Sequence, residues 1–577
     1  MSTRGGTKSC HCSLLSFFVS ALGVLALWAF GFTSPLPADG GADGPRSTDL
    51  VEFDSGDFAG SGNCAWCHTA LTDSSGRDVS IDKQWRSTMM ANGARDPLWQ
   101  AKVRSEVLRN PSVQAVIEEK CATCHTPMAR TQAKVDGEPV HLLDGGFFDP
   151  AHFLHLPAMD GISCTLCHQI EDIDLGNPAS FSGNFHIDTT TVPPDRLIHG
   201  PFAQPFQNNM NMHTEFLPVE GVHVEDSGLC GTCHTLYTPT LDSSGNIVGE
   251  FPEQMVYPEW AHSAYAEGMS LEQSCQDCHI PEADGDVVIS NRPWWLDGRS
   301  PFGEHHFVGG NAFMVKVFKE NIADLGLTAD AVHFEDTLAR TRAQLEESTA
   351  RLFVNQTDLD GETLKVILGV NSKVGHKFPA GFPSRRTWIH LTVTDRNGST
   401  VFESGAPLAN GAIAHNDADE NRADYEPHYD VIDSADEVQI YEAVMENTDG
   451  EVTYTLLRGD AYCKDNRLLP IGFDKAGAHE DIAVYGMASL DKNFKGGTDR
   501  ITYRIPVTGA EKPFTLSARL LFQAVGYRFV EDLRGDTSPL IDYFGDLYDE
   551  ADKTPEIVDS IEVTVPRALR PRQSVPR

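Results

Sequence analysis

Five times the chain repeats one pentapeptide, two cysteines three apart with a histidine directly behind the second. The copies are Cys64-Ala-Trp-Cys67-His68, Cys121-Ala-Thr-Cys124-His125, Cys164-Thr-Leu-Cys167-His168, Cys230-Gly-Thr-Cys233-His234 and Cys275-Gln-Asp-Cys278-His279. Two thiols at that spacing can close a disulfide, act as a redox pair or supply half of a zinc site. None of these uses needs the invariable histidine, and zinc sites take such knuckles in twos. Covalent haem attachment needs all three residues, because the thiols add across the vinyl groups and the adjacent imidazole falls under the iron. The expected cofactor is therefore five haem c. Cys64, Cys67, Cys121, Cys124, Cys164, Cys167, Cys230, Cys233, Cys275 and Cys278 attach it, and His68, His125, His168, His234 and His279 are the fifth iron ligands.

The sixth ligand on each iron sets its potential and reactivity and comes from elsewhere in the chain. His223 precedes the fourth motif on a Val/Glu/Asp segment, and His305 and His306 sit in a Phe- and Gly-rich one. His376 lies beyond the last motif in Gly-His-Lys-Phe-Pro, as ligand or as loop histidine. His155 and His213 are further candidates, followed by His152, His186 and His199. Trp85-Arg-Ser-Thr-Met89-Met90 offers thioethers where a histidine is missing; a Met ligand would raise that potential, and core methionines are the alternative. Arg385 and Arg386 read either as partners of haem propionates or as surface arginines. Cys463 stands alone and reads as a buried thiol.

These residues need elements to carry them. Arg4 and Lys8 precede a nearly uncharged run from Leu14 to Phe32, so residues 1–38 read as a signal peptide or a retained N-terminal membrane anchor. In either case the rest of the chain is exported, to the periplasm or the cell surface. Residues 39–59 are an acidic, Gly-rich linker, and 60–310 hold all five motifs at irregular intervals in a haem-packed, mostly α or irregular domain. Asp96-Pro97 and Asn110-Pro111 each start a helix, the second of which ends on the second motif. Residues 311–358 are a helical connector, with Leu338, Leu345 and Leu352 seven apart. From 359 to 577 the period falls to two, as in Leu364, Val366, Leu368 and Val370 or Phe514, Leu516, Ala518 and Leu520. Asp395-Arg-Asn-Gly398 marks a hairpin turn, and the whole reads as an antiparallel β-sandwich-like domain. The fold class is α+β.

The chain resembles the multihaem c-type cytochromes, and is similar to the family of the tetrahaem electron carrier of ammonia oxidisers and related extracellular respiratory cytochromes. The five pentapeptides carry the resemblance, with His305-His-Phe-Val-Gly-Gly-Asn311 and Gly375-His-Lys-Phe-Pro-Ala-Gly381. The resemblance favours His305 over His306 and makes His376 a ligand that couples the two halves. It implies electron transfer outside the cytoplasmic membrane, in a superfamily that also contains enzymes.

The composition narrows the partners. Among 577 residues, 45 Lys and Arg face 83 Asp and Glu, a net charge of −38. Phosphate backbones are repelled by such a surface, which excludes nucleic acid, whereas redox proteins with basic patches are steered toward it. Docking to a membrane or outer-membrane electron-transfer complex fits the same surface. Too little polypeptide surrounds five haems to keep them apart, so the leading expectation is electron transport along them. The alternative is an oxidoreductase that acts on a small nitrogen or sulfur compound at one open-site haem, with Tyr257, Tyr265 and His262 as nearby polar groups. A primarily structural role for the β half is the third.

Overall fold

A computed structural model describes residues 50–565, all of which belong to one compact unit. The proposed leader, residues 1–38, and the first part of the proposed linker lie outside the described residues. Among the described residues, no helix is long and apolar enough to cross a membrane.

The first half is built from short helices and long connections. Asp96 caps the helix Pro97–Arg109 by accepting from the amides of Leu98 and Trp99, with Pro97 in its first turn. A 3-10 turn at Pro111–Val113 leads into Gln114–His125, so the second motif does end a helix. Trp99, Val103 and Val107 of the first helix pack on Ile117 and Ala122 of the second, in a core completed by Leu142, Phe147 and Leu154. Two small sheets edge this half. Strands β1 (Arg196–Gly200) and β2 (Phe216–Glu220) pair in parallel, and β3 (Thr235–Leu241) and β4 (Ile247–Met255) form a hairpin. Residues 50–59, read from sequence as linker, are packed here: Phe58 is buried against Met128 and Leu166, and Asp57 is ion-paired with Arg196.

The helix Ala331–Ser348 carries Leu338 and Leu345 inward, then turns directly into β5 (Ala350–Asp360), which holds Leu352. Strand structure thus begins earlier than residue 359. Strands β5, β6 (Thr363–Ser372), β13 (Thr498–Pro506) and β9 (Val431–Ile432) form a four-stranded sheet in the order β5-β6-β13-β9. The larger sheet runs β11 (Val452–Thr453), β10 (Ile440–Glu446), β7 (Arg386–Thr394), β14 (Phe514–Gln523), β15 (Glu556–Val565), with β8 (Thr400–Ser404) on β7 and β12 (Ala461–Asp465) on β10. All its pairings are antiparallel; in the smaller sheet, β9 runs parallel to β13. The β7–β8 hairpin turns on Asp395, whose carboxylate accepts from the amides of Asn397 and Ser399.

Alternation has the expected result. Leu364, Val366, Leu368 and Val370 share a core with Ile389, Leu391 and Val393 and with Phe514, Leu516 and Leu520, so the two sheets bury facing surfaces. Each such side chain contributes about 1.5–3 kcal/mol of burial. The same core takes in Ala101 and Met255 from the first half and Phe318 and Phe334 from the connector, which ties the halves together.

Candidate haem site

Each motif lies on a single helical turn. The amides of His68, His168 and His234 donate to the carbonyls of Cys64, Cys164 and Cys230, while His125 and His279 close the helices Gln114–His125 and Cys275–His279. With 3.6 residues per turn, positions i, i+3 and i+4 share a face, so both thiols and the imidazole project together. Asp226 caps the turn at the fourth motif, and Ser274 with Asp277 forms a capping box at the fifth.

All fifteen of these side chains line one cavity of about 2270 Å³, far beyond the ~300–1,000 Å³ of a pocket for one small ligand. Thiols of different motifs come close enough in it to influence one another: Cys64 with Cys164, Cys124 with Cys233 and Cys230 with Cys275. Among the described residues, no motif thiol or imidazole joins a three-ligand cluster of the kind that a zinc knuckle requires. The donor set is laid out for extended groups side by side, as five covalently attached haems would be.

Imidazole tautomers agree with that reading. Nδ1 of His68 meets the Ile289 carbonyl at 2.7 Å, that of His125 Gly93 at 3.0 Å, that of His168 His199 at 2.6 Å and that of His279 Val308 at 2.8 Å. A proton held on Nδ1 by a carbonyl leaves the Nε2 lone pair free for a metal. Burial pushes the pKa of all five motif histidines down, to about 4 for His125 and His234, and so favours the neutral, ligating form.

Two distal candidates show the same signature. His305 lines the cavity, gives Nδ1 to the Gly303 carbonyl at 3.0 Å and is pushed by burial to about 3. Its ring centre lies 6.4 Å from that of His168, with the planes 28° apart. An imidazole nitrogen sits about 2 Å from a metal it binds and ~1 Å from its own ring centre, so two imidazoles that held one metal would have ring centres about 6 Å apart. His376 lines the cavity near His279 and His234, with Nδ1 on the Lys377 carbonyl at 2.9 Å.

The other candidates divide. His213 is exposed, lines the cavity and meets Trp66 of the first motif edge-on at 5.9 Å. His223 is buried but lies off the cavity wall, its Nε2 engaged by the Ile170 carbonyl at 2.8 Å. His155 also lies off the wall, with Nδ1 on the Phe147 carbonyl, and so do His152, His186 and His306. His199 does line it. The parallel β1–β2 pairing brings it there, its carbonyl holds His168, and its own Nδ1 is buried without a partner.

Met89, Met90, Tyr257 and Tyr265 line the cavity, whereas His262 packs on Phe473 outside it. Arg385 lines it too, donates to the Ala380 carbonyl, has no carboxylate partner among the described residues and is pressed by burial to about 10. Arg386 instead is fully buried in the sheet half, paired with Asp419 at 2.8 Å and with Gln523. Cys463 is half-buried, not enclosed, and donates to the Val444 carbonyl.

No family model matches the chain, and no curated protein does. Among solved structures it is similar to a penta-haem cytochrome c552 from Thermochromatium tepidum, 13% identical over 84% of this chain and 96% of that one, with a TM-score of 0.46.

Proposed function

We propose that the protein is an exported multihaem c-type cytochrome that carries electrons along five covalently bound haems in extracytoplasmic respiration. The observation that carries this is the convergence of five Cys-x-x-Cys-His turns on one cavity, with thiols of different motifs close enough to influence one another. The haems, when bound, supply one-electron redox chemistry at close spacing. The chain attaches them, keeps the imidazoles neutral, excludes water and offers Arg385 as a buried cation for a propionate. Its acidic surface favours cationic redox partners, whose reaction slows as salt is raised.

Intact-mass and optical spectroscopy of the exported protein test the proposal. Five haem additions per chain and rapid, complete reduction are expected; a colourless protein, or haems that do not equilibrate with one another, overturns it.

A second reading, turnover of a small nitrogen or sulfur compound at one open iron, is favoured by a count. Among the described residues only His199, His213, His305 and His376 join the five motif histidines on the cavity wall, so one iron would be left open unless Met89 or Met90 ligates it. Carbon monoxide or cyanide that rapidly shifts one haem's spectrum would support this reading; five unresponsive haems would end it.

A further inference from the structure

The loop that presents His376 is gripped from both sides by groups that bind no haem. Lys377 follows His376 and is wholly buried, its Nζ 2.7 Å from Asp465 and 2.8 Å from the Ala483 carbonyl. Arg467 forks between Asp465 at 2.7 Å and Glu259 at 2.8 Å. The second carboxylate oxygen of Glu259 accepts from the backbone amide of Lys377 at 3.1 Å. The result is a closed set of two cations and two anions with almost no contact with solvent.

Glu259 is the member of this set that belongs to the first half. It sits on the helix Val256–Ala261, which is tied to the fourth motif by the amide of Tyr257 on the His234 carbonyl at 3.3 Å. Two neighbours extend the grip. Tyr265 donates to the Lys373 carbonyl at 2.8 Å, and Gly375 packs so close to Trp260 and Tyr265 that an added Cβ would lie 3.2–3.3 Å from them. On the sheet side, Phe378 and Leu468 exchange backbone hydrogen bonds.

We infer that Glu259 is a positioning residue, which fixes the distance and orientation of His376 toward the haem cavity through Lys377 and Arg467. This rests on the reading of His376 as an iron ligand. A buried charge set is costly to assemble and adds little net stability, but separating its members leaves uncompensated buried charges, so the set resists rearrangement. That property suits a ligand that must reach across from another part of the fold.

The test uses the full-length, haem-loaded protein, with low-temperature paramagnetic resonance and potentiometric titration as readouts. His376→Gly is expected to convert one low-spin centre to high-spin, and added imidazole to restore it. Glu259→Gln, which keeps the side-chain shape but sets an amide nitrogen against a donor, is expected to perturb that same centre, again with rescue by imidazole. Tyr265→Phe loosens the loop without touching the charge set and is expected to shift the same signal by less, which keeps the test open if Glu259→Gln does not accumulate. If His376→Gly leaves all five centres low-spin, the ligand reading falls and the inference with it. If His376→Gly acts while Glu259→Gln and Tyr265→Phe leave signals and potentials as in the wild type, the ligand reading stands and Glu259 has no positioning role.

Discussion

His305 faces His168 with ring centres 6.4 Å apart and planes inclined by only 28°, and each gives its Nδ1 to a backbone carbonyl. With Nδ1 of each engaged by a carbonyl, both Nε2 lone pairs are free for a metal, and on the proposed function the two would hold one iron. His305→Gly is therefore expected to turn the haem of the third motif from low-spin to high-spin, with the other four unchanged. Paramagnetic resonance before and after imidazole addition measures it. An unaltered spectrum would take His305 out of the ligand set.

Arg385 is a buried guanidinium on the cavity wall with no carboxylate among the described residues to balance it, and it perturbs both His234 and His376. A positive charge near an iron favours the reduced state. Arg385→Met is expected to lower one haem potential by on the order of 1 kcal/mol, or roughly 40 mV for one electron. Spectropotentiometric titration checks both size and sign, and a rise or no change would mean that Arg385 acts elsewhere.

The shared face of each Cys-x-x-Cys-His motif was legible because its geometry is local, with one helical turn carrying both thiols and the imidazole. Helix starts at Asp96-Pro97 and the strands around Leu364 and Phe514 were legible for the same reason, since capping and alternation depend on near neighbours. Distal ligands depend on tertiary placement instead. His223 lies near the fourth motif in sequence yet turns its Nε2 to Ile170, while His199 reaches the wall only through the register of β1 on β2. Nor does any local pattern announce a charge cluster whose Arg467–Glu259 bond spans 208 positions.

Burial alone would raise the pKa of Asp465, but Arg467 and Lys377 outweigh it and hold the carboxyl at about 2, against 3.8 when unfolded. Its folded pKa is depressed, so its stabilisation is present above pH ~4 and is lost as pH falls toward 2, by about 2 kcal/mol in all. Asp465→Asn leaves two buried cations short of a partner and is expected to cost about 3–5 kcal/mol at neutral pH. Denaturant unfolding of both proteins from pH 7 to pH 2 should show that gap narrowing only below pH ~4. A gap constant with pH would show that the carboxylate charge is not what Lys377 and Arg467 require.

His428, Asp491 and Asp499 bring three ligand atoms within 4.8 Å of one another in the sheet half, close enough to suggest a metal site. The imidazole's hydrogen bonds oppose it. Nδ1 accepts from the amides of Gln439 and Asn466, and both amides are oriented by backbone: Gln439 Oε1 accepts from Tyr429 N, and Asn466 Oδ1 accepts from Glu442 N. With Nδ1 an acceptor, Nε2 carries the proton and donates it to Asp491 at 3.2 Å, leaving no lone pair for a cation. Asp499 is likewise engaged, by the Tyr441 hydroxyl at 2.8 Å. Zinc, calcium or a chelator is therefore expected to leave the thermal midpoint unchanged, whereas His428→Ala, which strands two buried amides, is expected to cost about 1–3 kcal/mol. Saturable zinc stabilisation that is abolished by His428→Ala would show that the imidazole adopts the other tautomer and that the cluster is a metal site.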